Sequence, residues 1–243
     1  MEQMRFKFFN LMSKLKGKTI LIILPKWVDL PALLSSFALK LLLEQIPENN
    51  LKVDIITDDG IDHYKVNFSE KLSFVKGSVI IQTYQEYVEE YGNPDAVCFL
   101  DLVYPRQILV GRIDINFEIL QKFKQMIVFN CFPGKLLEEK NRSVFSLSNV
   151  AGPAEIISEI FYKFLFQEDQ KVIGFSFDEF KEQKEIFVRN FKPKKEVLLA
   201  LYLSIWLKTN RFNVGAGSSL ITAGKLKTYY GDLEKLHKIQ NLF

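Results

Sequence analysis

Three short runs of almost unbroken apolar residues constrain this chain more than any other feature. They are 18–25 (KTILIILP), 96–102 (AVCFLDL) and 126–129 (MIVF). Each is too short for a buried helix and too uniformly apolar for a half-exposed strand, so each reads as a strand covered on both faces. Helical patterns follow or separate them. Pro31 suits a first helical turn, and the helix it opens runs to about Gln45 with Leu33, Leu34, Phe37, Ala38 and Leu41 on its apolar side. Residues 84–91 and 117–124 read as two more helices, 53–57 as a second short strand closed by Asp58-Asp59-Gly60, and 78–82 as an edge strand. Strands alternating with helices at this spacing predict an α/β fold with a doubly wound, mostly parallel sheet.

The second half is expected to be helical. Residues 153–166, 193–208, 219–230 and 232–240 carry helical patterns, and the third of these elements follows a Gly-rich turn at 213–218 (NVGAGS). The helix at 193–208 has Leu198, Leu199, Leu201, Tyr202, Ile205 and Trp206 almost all round, which predicts burial. Residues 167–192 form a charged insertion, and residues 1–18 a leading amphipathic helix that mixes Phe6, Phe8, Phe9, Leu11 and Met12 with lysines. With no internal repeat or marked linker, 1–243 reads as one domain.

Composition narrows the partners. A net charge of +3 is too small to draw the chain to nucleic acid or an anionic membrane by charge alone, and no apolar run is long enough for a membrane span. Two cysteines, Cys98 and Cys131, both in predicted strands, fit a reducing cytoplasm and a cytoplasmic location. The two histidines, His63 and His237, lie away from predicted strand ends and cannot assemble an imidazole-rich metal centre. Cys131 ends a strand but has no base placed beside it, which favours a structural thiol. The turn at 213–218 lacks the phosphate-binding spacings and reads as a turn in which Ser218 caps a helix. Asp29, just past the first strand, and Asp101, at the end of the 96–102 strand, should be brought toward one crevice. There the pair could hold one hard cation, or Asp29 could simply cap the helix that starts at Pro31.

The order of these pieces resembles the DHH phosphoesterase family. Residues 22–39 (IILPKWVDLPALLSSFAL) resemble its first motif, with Pro25 at the family's His, Asp29 at its first Asp and Pro31 at its second. Residues 96–105 (AVCFLDLVYP) resemble the second motif, with Asp101 at the metal-binding Asp. Residues 127–133 (IVFNCFP) resemble the strand carrying Asp-His-His, with Asn130, Cys131 and Phe132 in its place. Residues 149–160 (NVAGPAEIISEI) resemble the family's Ala-Ser-Ser-x-Ala-Glu-Ile helix start. Residues 199–212 (LALYLSIWLKTNRF) resemble the fourth motif, where Lys208, Thr209 and Asn210 replace Asp-Thr-Gly.

The resemblance implies a scaffold whose metal centre is lost. Asp29 and Asp101 remain as vestigial ligands, Lys208 puts a cation where a metal ligand belongs, and a two-metal clamp cannot be built. It also implies that the family's second, substrate-binding domain is missing. The expected function is therefore a catalytically inactive binding or assembly module, with no cofactor. Its expected partner is another protein or a second copy, with a nucleotide or nucleic acid also open, and Lys208 and Thr209 are the candidate ligand contacts. The alternatives are a divergent phosphoesterase acting on nucleotides or short oligonucleotides, using Asp29, Asp101 and Cys131 or Asp58 around one Mn or Mg, and a nucleic-acid-binding accessory protein.

Overall fold

The computed structural model describes residues 1–24, 29–46, 49–57, 75, 78–100, 123–131, 141–166, 193–215 and 217–241. Six strands form one sheet: β1 (Thr19–Ile23), β2 (Lys52–Thr57), β3 (Ile80–Ile81), β4 (Ala96–Leu100), β5 (Met126–Asn130) and β6 (Arg142–Ser146). Their order is β3-β2-β1-β4-β5-β6, and every pairing is parallel. The chain builds outward from β1 on one side, returns to its other side at β4, and builds outward again. The reversal between β1 and β4 is where a doubly wound sheet opens a crevice at its carboxyl edge.

Alternation along the strands explains the uniformly apolar sequence. Ile20, Ile22, Val53, Ile55, Ala96, Cys98, Ile127 and Phe129 join the larger core on one face. Leu21, Ile23, Ile56, Val97, Phe99, Met126 and Val128 join a smaller core on the other, with Tyr87 and Phe123. Helix α3 (Tyr84–Tyr91) supplies Tyr87, whose hydroxyl donates to Asp54 of β2 at 2.7 Å. Its start is fixed by a Thr83–Glu86 capping box.

The larger face is covered by α1 (Glu2–Lys14), α2 (Leu30–Glu44), α4 (Pro153–Ile160) and the short α5 (Tyr162–Leu165). Outside them lies α6 (Lys195–Lys208), packed among α2, α4 and α7 (Gly217–Tyr230), with α8 (Leu233–Gln240) closing the chain. That position accounts for the all-round apolar sequence: ten consecutive residues, Val197 to Trp206, are buried. A buried polar cluster crosses this interface. The buried hydroxyls of Ser204 and Ser35 lie 2.8 Å apart, and both reach the Pro31 carbonyl, at 2.8 and 2.7 Å. Satisfied buried hydroxyls of this kind fix the register of two otherwise featureless apolar helices.

Several boundaries differ from the sequence expectation. The leading helix ends at Lys14, because Leu15 to Gly17 turn back and Gly17 takes φ +70. The expected 153–166 helix breaks at Phe161, and β6 lies where the sequence pattern predicts no strand. Of the expected 117–124 helix only residues 123–124 are described, and they are not helical. The insertion at 167–192 lies outside the described residues. Among the described residues no helix is long and apolar enough to cross a membrane.

Candidate functional site

The crevice at the carboxyl edge is flanked by helix ends. Asp29 precedes α2 in an extended conformation, and its Oδ1 accepts the Ala32 N–H at 2.8 Å, an N-cap that satisfies one orphan donor of the first turn. Its other oxygen, Oδ2, accepts from the Lys208 ammonium at 3.1 Å. Lys208 is the last residue of α6, where a cation also offsets the negative end of the helix. Each charge therefore answers the dipole of its own helix, and the two answer one another. Asp29 and Lys208 keep side-chain exposures of 49% and 30%, so water screens the pair and its net worth is about 0.2–1 kcal/mol.

The stem of Lys208 runs against the start of α4. A Cβ added to Gly152, the N-cap residue, would lie 3.3 Å from Lys208 Cγ. Thr209 follows and is buried. Its hydroxyl donates to the Ile205 carbonyl at 2.8 Å and accepts the Phe212 N–H at 3.2 Å, so it holds the turn that ends α6. Of the two candidate ligand contacts, Lys208 is thus the one with solvent access. Asn210, Arg211 and Phe212 all adopt positive φ, at 47, 60 and 67°, a left-handed run that costs non-glycine residues free energy. The turn is tied back by Arg211 N–H to the Trp206 carbonyl at 2.7 Å and Val214 N–H to the Thr209 carbonyl at 3.0 Å.

The remaining sequence candidates are placed as follows. Pro31 is buried in the first turn of α2. Asn130 ends β5 opposite Ser146 and is buried, and Cys131 next to it is buried on the larger core face. The thiol is therefore set among apolar side chains. Pro25, Asp58, Asp101 and Phe132 lie outside the described residues. Among the described residues no three His, Cys, Asp or Glu side chains converge as a metal site would require. Both carboxylate oxygens of Asp29 accept protein donors, and one donor is itself a cation.

Sequence reasoning missed Glu155. It lies in the first turn of α4 and is only 1% exposed. Its Oε1 accepts the Ala151 N–H at 2.6 Å and the Ser219 hydroxyl at 2.7 Å, joining the starts of α4 and α7. Burial pushes its pKa up, the Ala151 N–H and the Ser219 and Ser218 hydroxyls pull it back, and neighbouring Glu159 adds to the rise. A helix start reading Gly-Pro-Ala-Glu carries the signal, since an acid three residues after the cap commonly reaches back to backbone N–H groups. Helix α7 begins at Gly217, so Ser218 is not its cap. Instead its hydroxyl donates to the Asn149 carbonyl at 2.9 Å.

No family model and no curated protein matches the sequence. Among solved structures, an exopolyphosphatase-related protein from Bacteroides fragilis is similar, with a TM-score of 0.64 and 15% sequence identity. The superposition covers 98% of this chain and 60% of that one, so this chain spans about three-fifths of its neighbour's length. At this identity the likeness is one of fold: the two proteins share an α/β architecture.

Proposed function

We propose that the chain is a catalytically inactive relative of the DHH phosphoesterases that keeps the α/β scaffold as a binding or assembly module. The observation that carries this reading is the 3.1 Å contact between Lys208 Nζ and Asp29 Oδ2. In the resembling motifs both positions are metal-ligand aspartates, and here an ammonium stands in for the cation that two carboxylates would have held. A fold shared with an exopolyphosphatase-related protein supports the phosphoesterase-like origin. Exposed Val214, Leu220 and Ile221, around the start of α7, support the assembly half of the reading and a second protein chain as partner.

The direct test is hydrolysis. Purified full-length protein with manganese or magnesium should show no turnover of short oligonucleotides, dinucleotides or pyrophosphate above the no-enzyme rate. Turnover that disappears in Asp101→Ala would make it a divergent enzyme instead.

Restoring the acid provides a second test. Lys208→Asp replaces an attraction by repulsion and places an anion at the negative end of α6, so stability should fall by about 1–2 kcal/mol at neutral pH. Facing carboxylates raise the pKa of one of them, so the deficit should shrink as pH falls toward that raised value. Added manganese should also raise the melting temperature of Lys208→Asp and leave that of the wild type unchanged. Equal manganese shifts in both proteins would contradict the role given to Lys208.

A further inference from the structure

Glu155 poses a problem that capping alone does not resolve. Its Oε1 has two donors, while its Oε2 is buried and has no hydrogen-bond partner among the described residues. Ionised, that oxygen lacks donors, and protonated, it lacks an acceptor, so neither form is fully satisfied in place. The carboxyl nevertheless sits at a junction. Ala151 leads into α4, Ser219 is in the first turn of α7, and Ser218 beside it is bound to Asn149. Just upstream, Gly215 lies against Thr209, where an added Cβ would stand 2.9 Å from the Thr209 methyl. On the other side of Gly152 runs the Lys208 stem. The start of α4, which Glu155 ties to the start of α7, is thus also the surface on which the Lys208 stem lies.

We propose that Glu155 is a latch: a buried carboxyl that fastens the start of α7 to the start of α4, and whose charge state sets how firmly the Lys208 side of the crevice is closed. This rests on the crevice being the binding site of the module, and it adds a regulation of that site.

Among the described residues the charged groups around the latch are few. On α4 itself Glu159 lies one turn on and is drawn toward Arg5 of α1 at 3.1 Å. From α6 comes Lys208, held to Asp29 at the start of α2. The first turn of α7 offers only the Ser218 and Ser219 hydroxyls. Burial raises the Glu155 pKa in the closed form, and opening returns it to water and to an ordinary value. The closed form thus holds its proton more tightly than the open form. Closure is strongest below the ordinary carboxylate value and weakens as pH rises through the raised one.

Hydrogen exchange of the full chain, read at residues 149–152 and 217–223, tests this between about pH 4 and about pH 8 after correction for intrinsic rates. In the wild type the opening equilibrium should rise with pH, by about tenfold for each unit by which burial raises the carboxyl. Glu155→Gln keeps the acceptor oxygen without the charge and should be protected and flat with pH. Ser219→Ala removes one donor to the ionised form and should move the wild-type transition to higher pH. A wild type flat across the range, or a Glu155→Gln protein with the wild-type slope, overturns the latch. A Ser219→Ala transition that does not move also counts against it. None of these readouts involves metal or hydrolysis, so failure of the latch leaves the Lys208 reading standing, and failure of that reading leaves the latch measurable.

Discussion

Phe8→Ala should destabilise the protein by about 3–5 kcal/mol, the largest single effect expected outside the crevice. Phe8 belongs to α1 and is 1% exposed. Its ring lies 5.3 Å from Phe145 of β6, 5.4 Å from Phe161 at the break between α4 and α5, and 6.0 Å from Phe129 of β5. Phe9 adds an edge-on contact at 5.5 Å. Truncation would leave a cavity walled by three separate elements, none of which can move in without disturbing the others, so little of the loss is recoverable. Denaturant unfolding of the two proteins measures this, with the midpoint falling at nearly constant slope. A loss below about 1 kcal/mol would mean that the ring cluster does not hold α1 to the sheet.

Gly215→Ala should cost about 2–4 kcal/mol, a large penalty for one methyl group. Gly215 has φ +138, a region that side chains with a Cβ rarely enter, and the added Cβ would stand 2.9 Å from the Thr209 methyl and 3.5 Å from its Cβ. Thr209 cannot retreat, because its hydroxyl is bonded to the Ile205 carbonyl and the Phe212 N–H. Strain and overlap therefore add at one position. Gly224 is the control. It sits inside α7 with nothing within 4 Å of an added Cβ, so Gly224→Ala should be neutral or stabilising by about 0.5–1 kcal/mol. In Thr209→Ser the colliding methyl is gone, and Gly215→Ala should cost less there than in the wild type. Equal effects of alanine at 215 and 224 would show that the Gly-rich turn is not held against Thr209.

The fold was legible where burial on both faces left no choice of residue. The 18–25, 96–102 and 126–129 runs became β1, β4 and β5 at the sheet centre, and the all-round apolar 193–208 pattern became the enclosed α6. The edge was less legible. In β6 only Phe145 is fully buried, and Arg142-Ser143-Val144-Phe145-Ser146 gives too short a pattern to stand out from a loop. The break at Phe161 is invisible for the opposite reason: the sequence stays apolar through it, while Phe161 packs against Phe8 and Phe9 of α1, far away in the chain.

The candidate site was legible in part. Asp29 can be read as a cap from its place before Pro31, and the structure gives it that cap. Its contact with Lys208 spans 179 residues of sequence, and no local pattern announces it; motif order alone put the two positions in one crevice. Glu155 went unread because a charged residue in a helix start is ordinarily exposed, and its burial depends on α7 arriving from far along the chain.

In the proposed function an ammonium occupies the place of a metal. Metal content measured on purified full-length protein, after incubation with excess manganese and removal of the free ion, tests it most directly. Well below one manganese per chain is the expected result. One or two manganese ions held per chain, and lost in Asp29→Ala or Asp101→Ala, would contradict it.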